Sequence, residues 1–354
     1  MRNTISLISW PEDLSLYFDT HQSPLNVRNT GHQYSYGTLP LFLTRAAGEW
    51  LDQACDVSAE PLSRAVGSLL VSSSISECRP GSFTSVHNAL VGRTLSALTD
   101  LGTLVIVYLI GRRLYGETTG LLATGFGAVT AFLIQQAHFF TVDSMACFFT
   151  MVVALFSVRA AETGGWADFA LAGLGVGLAA AAKVSAVTAA LLVVLAAISR
   201  FALGIPSQAN RASRVRLDVS RLWPLLLRLC LAGLLSLIAF RVAQPYAFEG
   251  PGFFGVRPSP EWFGRVSEIR AEQSGEVDLP SGRQWANRLP IVFPWANIVV
   301  WGMGLPLGLA AWTGWAATGF ELLTGMPRGR KHLVLWGWAT VVFLYHATRW
   351  VKTM

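Results

Sequence analysis

The sequence predicts an all-α polytopic membrane protein with about eight transmembrane helices, short interfacial helices and one long extracytoplasmic loop. The chain has 354 residues, of which 52% are hydrophobic and only 14% are charged, and its mean hydropathy is +0.45. An ordinary soluble domain carries about 25% charged residues. A soluble enzyme with one closed core is therefore excluded. A disordered chain is excluded as well, because disorder requires low hydrophobicity and high charge.

Eight apolar stretches approach the ~20 residues that a helix needs to cross a bilayer. They are residues 94–111, 119–137, 142–158, 168–182, 184–199, 222–243, 296–318 and 333–350. These stretches divide the chain into an extracytoplasmic or interfacial segment 1–91, a transmembrane core 92–243 with six spans, an extracytoplasmic loop 244–295, and two C-terminal spans in 296–354.

Basic residues predict the orientation of these spans. Arginines flank the apolar stretches and should be cytoplasmic by the positive-inside rule; they are Arg112 and Arg113, Arg159, the run from Arg200 to Arg228, and Arg328 to Lys331. Arg159 and Arg200 share a side only if the chain turns back near Lys183, so we predict two crossings there. Asp143 and Lys183 then lie on the extracytoplasmic side. The net charge of +6 is explained by this topology, and no nucleic-acid partner is predicted.

Three local patterns complete the organisation of the chain. The stretch 36–51 is too short to span, and its apolar residues with Arg45 and Glu49 opposite suit a helix in the membrane interface. The glycine-rich run 172–183 follows no strand and indicates close helix packing, not a dinucleotide site. The four cysteines form no zinc or redox motif, and no metal is indicated. Whether Cys55 and Cys78 pair is left open by their spacing.

Three strings in a fixed order resemble one family of membrane enzymes. They are SYGTLPLFL (35–43), VGRTLSALTDLGTLVIVYLIGRRLYGETTGLLA (91–123) followed by HFFTVDSMACFF (138–149), and GLGVGLAAAAKVSA (173–186). Together they resemble the phospholipid-carrier-dependent glycosyltransferases of the C-type superfamily, which include protein O-mannosyltransferases and the lipid A aminoarabinose transferase. The strings QPYAFEGPGFFG and QWANRLPIVFPWANIVVWGMGLPLG resemble a bacterial subgroup, so the resemblance covers nearly the whole chain.

The resemblance implies transfer of mannose or another hexose from a polyprenyl-phosphate carrier to a protein or lipid acceptor. The implied setting is the extracytoplasmic face of a bacterial inner membrane, with the lipid bilayer, the lipid-linked sugar and the acceptor as partners. Relatives differ in metal use, so the cofactor is left unknown. In the family, an Asp often followed by Glu acts as base in the first outer loop. Here Glu12, Asp13 and Asp19 do not reproduce that motif, and we expect a chain shortened at both ends that lacks the catalytic Asp.

Charged residues inside membrane segments are costly and indicate function. Asp143 matches the second characteristic Asp of the family and is predicted to orient the sugar or acceptor; alternatively, it caps a helix that starts at Ser144. Lys183 matches a family lysine and is predicted to bind the carrier phosphate as a point charge; alternatively, it extends to the interface. Arg241 is a second predicted phosphate contact. Asp100 favours a polar contact between helices.

Further residues are predicted to contact the substrate. They are Tyr36, His138, Gln244, Tyr246, Gln284, Trp285 and Arg288. The aromatic residues among 244–295 suit either a platform under a sugar ring or an aromatic belt at the membrane surface. Two other functions remain open at this point. One is a lipid or solute transporter or flippase, with Asp100, Asp143 and Lys183 along one path, and the other is an inactive fragment of the transferase.

Overall fold

Helices account for nearly all the secondary structure of this protein. The computed structural model describes residues 1–32, 34, 36–54, 81–203, 219–277, 280–325 and 329–351. Within these ranges the strands are one antiparallel pair of two residues each, Phe248–Glu249 with Arg257–Pro258. The predicted all-α class is confirmed. The possible cysteine pair Cys55–Cys78 lies outside the described residues.

The α-helices are numbered here in chain order. They are α1 (Arg2–Ile5), α2 (Leu39–Ala54), α3 (Asn88–Tyr115), α4 (Glu117–Ala128), α5 (Ala131–His138), α6 (Asp143–Thr163), α7 (Trp166–Ala182), α8 (Ala190–Leu203), α9 (Val219–Ala243), α10 (Pro260–Ser274), α11 (Pro280–Arg283), α12 (Val292–Ala296), α13 (Leu305–Leu323) and α14 (Leu333–Ala347). Short 3-10 helices cover Leu14–Phe18, Val27–Thr30, Val184–Ala189, Pro245–Ala247 and Gly329–His332, and a π-helix covers Asn297–Gly302.

Four helical segments are long and apolar enough to cross a membrane. They are Asn88–Tyr115, Asp143–Thr163, Val184–Phe201 and Leu222–Ala243. The pair α4 and α5 would add a fifth span, although the two helices are bent by 60° at their junction. The four or five spans among the described residues are fewer than the predicted eight. One reason is length, since α7 and α14 have only 17 and 15 residues and are at or below the lower limit for a straight span.

Two of the predicted spans are interrupted rather than continuous. The stretch 119–137 breaks between α4 and α5. The stretch 296–318 forms the π-helix and then restarts as α13 after Gly304, whose φ is 83°. Pro306 follows in the first turn of α13, where a helix tolerates the missing N–H group. Averaging hydropathy over a window conceals such breaks, because the flanking residues stay apolar.

The small residues of α7 bring this helix into direct contact with α9. A Cβ atom added at Gly173 would lie 2.2 Å from the carbonyl oxygen of Ala232, and one added at Gly177 would lie 2.2 Å from that of Ser236. Larger side chains would push the two helices apart. The glycine-rich run is therefore a packing surface, as its sequence indicates.

Basic residues gather at one end of the helical bundle, named here the Arg113 end. Arg113 Nε lies 2.6 Å from Glu162 Oε2, and Arg159 Nε lies 2.8 Å from Asp168 Oδ1. Arg200 Nη1 donates a hydrogen bond to the carbonyl of Glu162 at 2.8 Å. These contacts require α6, α7 and α8 to run antiparallel to one another in turn. The predicted turn between α7 and α8 is confirmed.

The opposite end of the bundle, where α6 begins and α7 ends, is named here the Lys183 end. Residues 1–32 and 242–259 pack together there and form a cap over the helices. Hydrogen bonds that join the two segments include those between Tyr17 Oη and Val242 O (2.7 Å), Thr20 Oγ1 and Phe248 O (2.7 Å), Ser23 Oγ and Tyr246 Oη (2.6 Å), and Arg28 Nη1 and Ser259 Oγ (3.1 Å). The cap is thus built from the first residues of the chain and from the segment that follows α9.

Helix α2 differs from the predicted interfacial helix on its polar side. Arg45 Nε lies 2.6 Å from Glu49 Oε1, and Arg45 Nη1 donates to the carbonyl of Ile5 at 3.1 Å. The Arg45 side chain is only 14% exposed. Helix α2 is amphipathic, as predicted, but α1 covers its polar side. That side therefore faces protein and not the membrane surface. It also begins at Leu39, three residues after Tyr36.

Candidate active site at the Lys183 end

Asp143 and Lys183 form an ion pair although 40 residues separate them in the chain. Lys183 Nζ lies 2.6 Å from Asp143 Oδ1, and the side chains of Lys183 and Asp143 are 37% and 38% exposed. Asp143 is in the first turn of α6, and Lys183 directly follows the last residue of α7. A carboxylate at a helix N-terminus and an ammonium at a C-terminus are both stabilised by the helix dipole. Two helix ends therefore fix the pair.

This geometry bears on the alternatives that the sequence leaves open. Val142, not Asp143, occupies the N-cap position of α6, and Asp143 makes no cap hydrogen bond there. The ammonium of Lys183 contacts a carboxylate as well as solvent. An ammonium has three N–H donors, and the bond to Asp143 uses one of them. The pair is therefore open to a ligand that offers further acceptors.

The segment 36–38 lies against the end of α7 beside the ion pair. A Cβ atom added at Gly37 would lie 1.9 Å from the carbonyl oxygen of Ala181, so only glycine permits this approach. The backbone N–H and the hydroxyl of Thr38 both donate to Gln244 Oε1, each at 2.6 Å. Gln244 is 2% exposed. Gln244 is therefore too buried for the predicted contact with substrate. It acts indirectly, because it holds the segment 36–38 beside the ion pair.

Tyr36 is the exposed aromatic residue of this segment. Its side chain is 52% exposed, and its ring centroid is 5.9 Å from that of Tyr34. The hydroxyl of Tyr34 is buried and has no hydrogen-bond partner among the described residues. Burial raises the pKa of Tyr34, with a smaller contribution from Tyr36. The predicted substrate contact of Tyr36 agrees with its exposure and with its position next to Gly37.

Arg241 is placed differently from its prediction as a phosphate contact. The residue is 3% exposed. Its guanidinium donates to the backbone carbonyls of Pro245, Gly252 and Phe253 at 2.6, 2.8 and 3.1 Å. It also lies 4.8 Å from the centroid of the Phe18 ring. Arg241 therefore contacts the cap, where it fixes the loop after α9, and does not contact the ion pair.

Two further predicted residues have local partners. Tyr246 is 2% exposed, and its hydroxyl shares the hydrogen bond with Ser23 described above, so it belongs to the interior of the cap. His138 is exposed at the end of α5, and its Nδ1 lies 2.7 Å from the carbonyl of Ile134. No contact brings either side chain to the ion pair among the residues that the structure describes.

The predicted group Gln284, Trp285 and Arg288 lies near the end of α14. The Arg288 guanidinium is within 3.3–3.4 Å of the carbonyl of Gln284 and lies 5.4 Å from the Phe293 ring centroid. The neighbouring backbone N–H of Ile291 donates to the carbonyl of Ala347 at 3.3 Å. The segment that follows this group is therefore held against the end of α14.

His346 on α14 is a neighbour of Lys183 that the sequence analysis did not include. The two residues are close enough for their charges to interact. The sequence contains a signal for His346, because an ionisable side chain within an apolar stretch indicates a functional residue. Gly37 and Thr38 were also missed as individual residues, since no pattern in the sequence shows that they meet residues far along the chain.

The acidic residues nearest the start of the chain serve local turns. Asp13 accepts hydrogen bonds from the N–H and the hydroxyl of Ser15 at 2.8 and 2.6 Å, and these bonds lower the pKa of Asp13. Asp19 Oδ1 accepts from the backbone N–H groups of His21 and Gln22 at 2.9 and 3.0 Å. Within the described ranges, no cluster of three His, Cys, Asp or Glu side chains could hold a metal ion.

The middle of the chain, which contains the ion pair, matches a known family. Residues 83–217 match the model of the dolichyl-phosphate-mannose-protein mannosyltransferase family. This match agrees with the resemblance of the chain to the C-type glycosyltransferases. The matched region includes both Asp143 and Lys183, whereas the cap segments 1–32 and 242–259 lie outside the match. No curated protein and no solved structure matches the chain.

Proposed function

We propose that this membrane protein is a glycosyltransferase that moves mannose or another hexose from a polyprenyl-phosphate carrier to a protein or lipid acceptor on the extracytoplasmic side. The observation that carries the proposal is the half-exposed pair of Asp143 and Lys183 inside the matched region. A lipid phosphate needs a cation at the boundary between apolar helices and polar surface. Lys183 has that position, because it follows the last residue of an apolar helix.

The proposed chemistry assigns a separate role to each member of the pair. The acceptor oxygen bonds to the anomeric carbon of the sugar, and the bond from that carbon to the phosphate oxygen breaks. The electron pair of the broken bond stays on the carrier phosphate, which takes up the proton that the acceptor hydroxyl loses. Lys183 offsets this developing negative charge, which is the largest kind of contribution that a site makes to such a step. Asp143 accepts a hydrogen bond from a hydroxyl of the sugar or the acceptor and orients it.

The distribution of basic residues between the two ends of the bundle supports the proposed side of the membrane. Basic residues concentrate in cytoplasmic segments, and the Arg113 end carries Arg113, Arg159 and Arg200. Lys331 joins them, because its Nζ donates to the carbonyl of Leu114 at 3.0 Å. We therefore assign the Arg113 end to the cytoplasm and the Lys183 end to the extracytoplasmic side.

The proposal is tested by binding of polyprenyl phosphate to full-length protein in lipid nanodiscs. Lys183→Met removes the charge and keeps the apolar stem, so phosphate affinity should fall by about 10- to 150-fold, which corresponds to ~1.5–3 kcal/mol for a hydrogen bond to a charged group. Lys183→Arg should recover part of the loss, because the charge remains while the geometry changes. Uncharged polyprenol should bind equally to all three proteins.

Lys331→Met is the matched control, because it makes the same change at the Arg113 end. It should leave polyprenyl phosphate affinity unchanged. Release of polyprenyl phosphate from polyprenyl-phosphate mannose, measured against donor concentration, should follow the same order of variants. Equal affinity of the wild type and Lys183→Met for polyprenyl phosphate would remove Lys183 from the carrier site and contradict the proposal.

A further inference from the structure

A polar cavity of about 450 Å³ lies between the first cap segment and helix α10. Arg28 and Tyr34 line it on one side. Glu261, Gly264, Arg265 and Glu268 line it from α10, and their spacing of three, four and seven residues places them on a single helix face. The volume is within the range of small-molecule sites, ~300–1,000 Å³. Neither the ion pair nor the predicted substrate contacts account for this cavity.

The charges that line the cavity are already paired. Arg28 Nη1 lies 3.3 Å from Glu261 Oε2, and Arg265 Nη1 lies 2.5 Å from Glu268 Oε2. The carboxylate side chains are 75% and 59% exposed, whereas those of Arg28 and Arg265 are 24% and 35% exposed. Two cations and two anions cancel, so the cavity does not select a polyanion. It offers alternating donors and acceptors, which is the lining that a neutral ligand with many hydroxyl groups needs.

Tyr34 contributes an aromatic ring to the cavity lining. Its ring provides an apolar surface of the kind that packs on a sugar face. The Tyr34 ring is also 5.9 Å from that of Tyr36, and Tyr36 precedes the Gly37 contact with the end of α7. The Tyr34–Tyr36 contact and the segment that follows Tyr36 therefore connect the cavity lining to the end of α7, which directly precedes Lys183.

We propose that this cavity binds the acceptor, and that the part of the acceptor it holds is a neutral saccharide. The assignment of this saccharide as the acceptor rests on the glycosyltransferase function proposed above. It names the chemical class that the alternating charged pairs and the aromatic ring of Tyr34 recognise. An acceptor sugar held there extends past Tyr34 and Tyr36 towards Asp143, whose carboxylate can orient the hydroxyl that reacts.

Gly264 allows the cavity to be filled without disturbing the fold. A Cβ atom added there meets no atom within 4 Å, and α10 gains helix propensity when glycine is replaced. Gly264→Trp should therefore fold normally and occupy the cavity. Ser267→Trp is the matched control, since Ser267 is exposed on the same helix and does not line the cavity.

The experiment is saturation-transfer NMR with the full chain in nanodiscs free of sugar-based detergents. The probes are mannotetraose, chitotetraose and a Ser/Thr-rich octapeptide. We expect at least one tetrasaccharide to bind to the wild type and to Ser267→Trp, with at least tenfold weaker binding to Gly264→Trp. Lys331→Met, which changes a cation at the Arg113 end, should bind that tetrasaccharide like the wild type.

Three outcomes would overturn the assignment. They are binding of the octapeptide alone, tetrasaccharide binding that Gly264→Trp leaves unchanged, and the absence of binding for both tetrasaccharides. Failure of polyprenyl phosphate to respond to Lys183→Met would instead contradict the proposed function and leave the saccharide measurement intact. The two proposals are therefore tested by separate readouts.

Discussion

Two regions of the Lys183 end each hold a cation next to an apolar helix, but one of these cations is buried and the other is partly exposed. Arg241 is 3% exposed and donates to three backbone carbonyls of the cap. Lys183 is 37% exposed at its side chain and bonds to one carboxylate. Charge and position along a helix are similar for the two residues. The two residues differ in how many of their N–H donors bond to acceptors in the protein.

This difference separates a role in folding from a role in binding. A buried guanidinium with several backbone acceptors stabilises the loop that it holds, because removing it leaves those acceptors unpaired. A half-exposed ion pair contributes only about 0–1 kcal/mol to stability, so its groups can rearrange around a ligand at little cost. We therefore expect substitutions in the two regions to have separable effects on stability and on carrier binding.

The largest expected effect is the loss of stability in Arg241→Met. Three hydrogen bonds to a charged group are lost, and the carbonyl of the buried Pro245 is left unpaired, whereas the exposed Gly252 can bond to water. With ~1.5–3 kcal/mol for a hydrogen bond to a charged group, the protein should lose roughly 3 kcal/mol. The measurement is the thermal unfolding midpoint in nanodiscs. Arg288→Met is the control, because within the described part of the chain that exposed arginine contacts its own turn and a neighbouring ring, and it should change stability by less than about 0.5 kcal/mol. An Arg241→Met protein of normal stability that binds polyprenyl phosphate weakly would restore the carrier role predicted from sequence.

A smaller loss is expected for Gly37→Ala. The added Cβ would lie 1.9 Å from the carbonyl oxygen of Ala181, and overpacking of this kind costs ~1–3 kcal/mol. The segment 36–38 should move away from α7, so both the unfolding midpoint and the affinity for polyprenyl phosphate should fall. Gly314→Ala is the control, because a Cβ there meets nothing within 4 Å. A wild-type midpoint in Gly37→Ala would show that the close approach to α7 does not exist.

The smallest effect on stability is expected for Asp143→Asn. Loss of a half-exposed ion pair should change the free energy of unfolding by no more than about 1 kcal/mol. Polyprenyl phosphate should bind at least as tightly as to the wild type, since a negative charge near the phosphate is removed, while sugar transfer should slow. Denaturant unfolding and phosphate binding, measured on the same preparation, check both parts. A stability loss of several kcal/mol would make the pair a structural element like Arg241.

The sequence predicts the features that depend on local composition. The helical class, the clustering of Arg113, Arg159 and Arg200 at one end, and the turn near Lys183 all follow from apolar stretches and flanking charges. The turn in particular follows from charge alone, since 169–199 contains no proline. The common location of Asp143 and Lys183 follows from the same argument, because two turns of an antiparallel bundle at the same end lie near each other.

The features that the sequence does not predict depend on contacts between distant segments. Arg241 and Lys183 look alike in sequence, and only the folded loop after α9 reveals that carbonyls surround one of them. Gln244 and Tyr246 have polar groups suited to a ligand, yet Thr38 and Ser23 occupy those groups. The break in 296–318 depends on the backbone conformation of Gly304, which hydropathy does not detect. Donor satisfaction and backbone angles are properties of the fold, so composition cannot reveal them.

The hydrogen bonds of the cap set an order in which the protein can be assembled. Tyr17, Thr20 and Thr38 find their partners 225, 228 and 206 residues later in the chain. At a synthesis rate of ~5–20 residues per second, the first segment waits roughly 10–40 s for the residues that hold it. Helices α3 to α8 can be inserted during that interval with the ion pair uncovered. The site therefore becomes complete only after α9 has been made. A nascent chain that stops earlier contains Asp143 and Lys183, but the cap and the segment 36–38 are not yet held in place beside them.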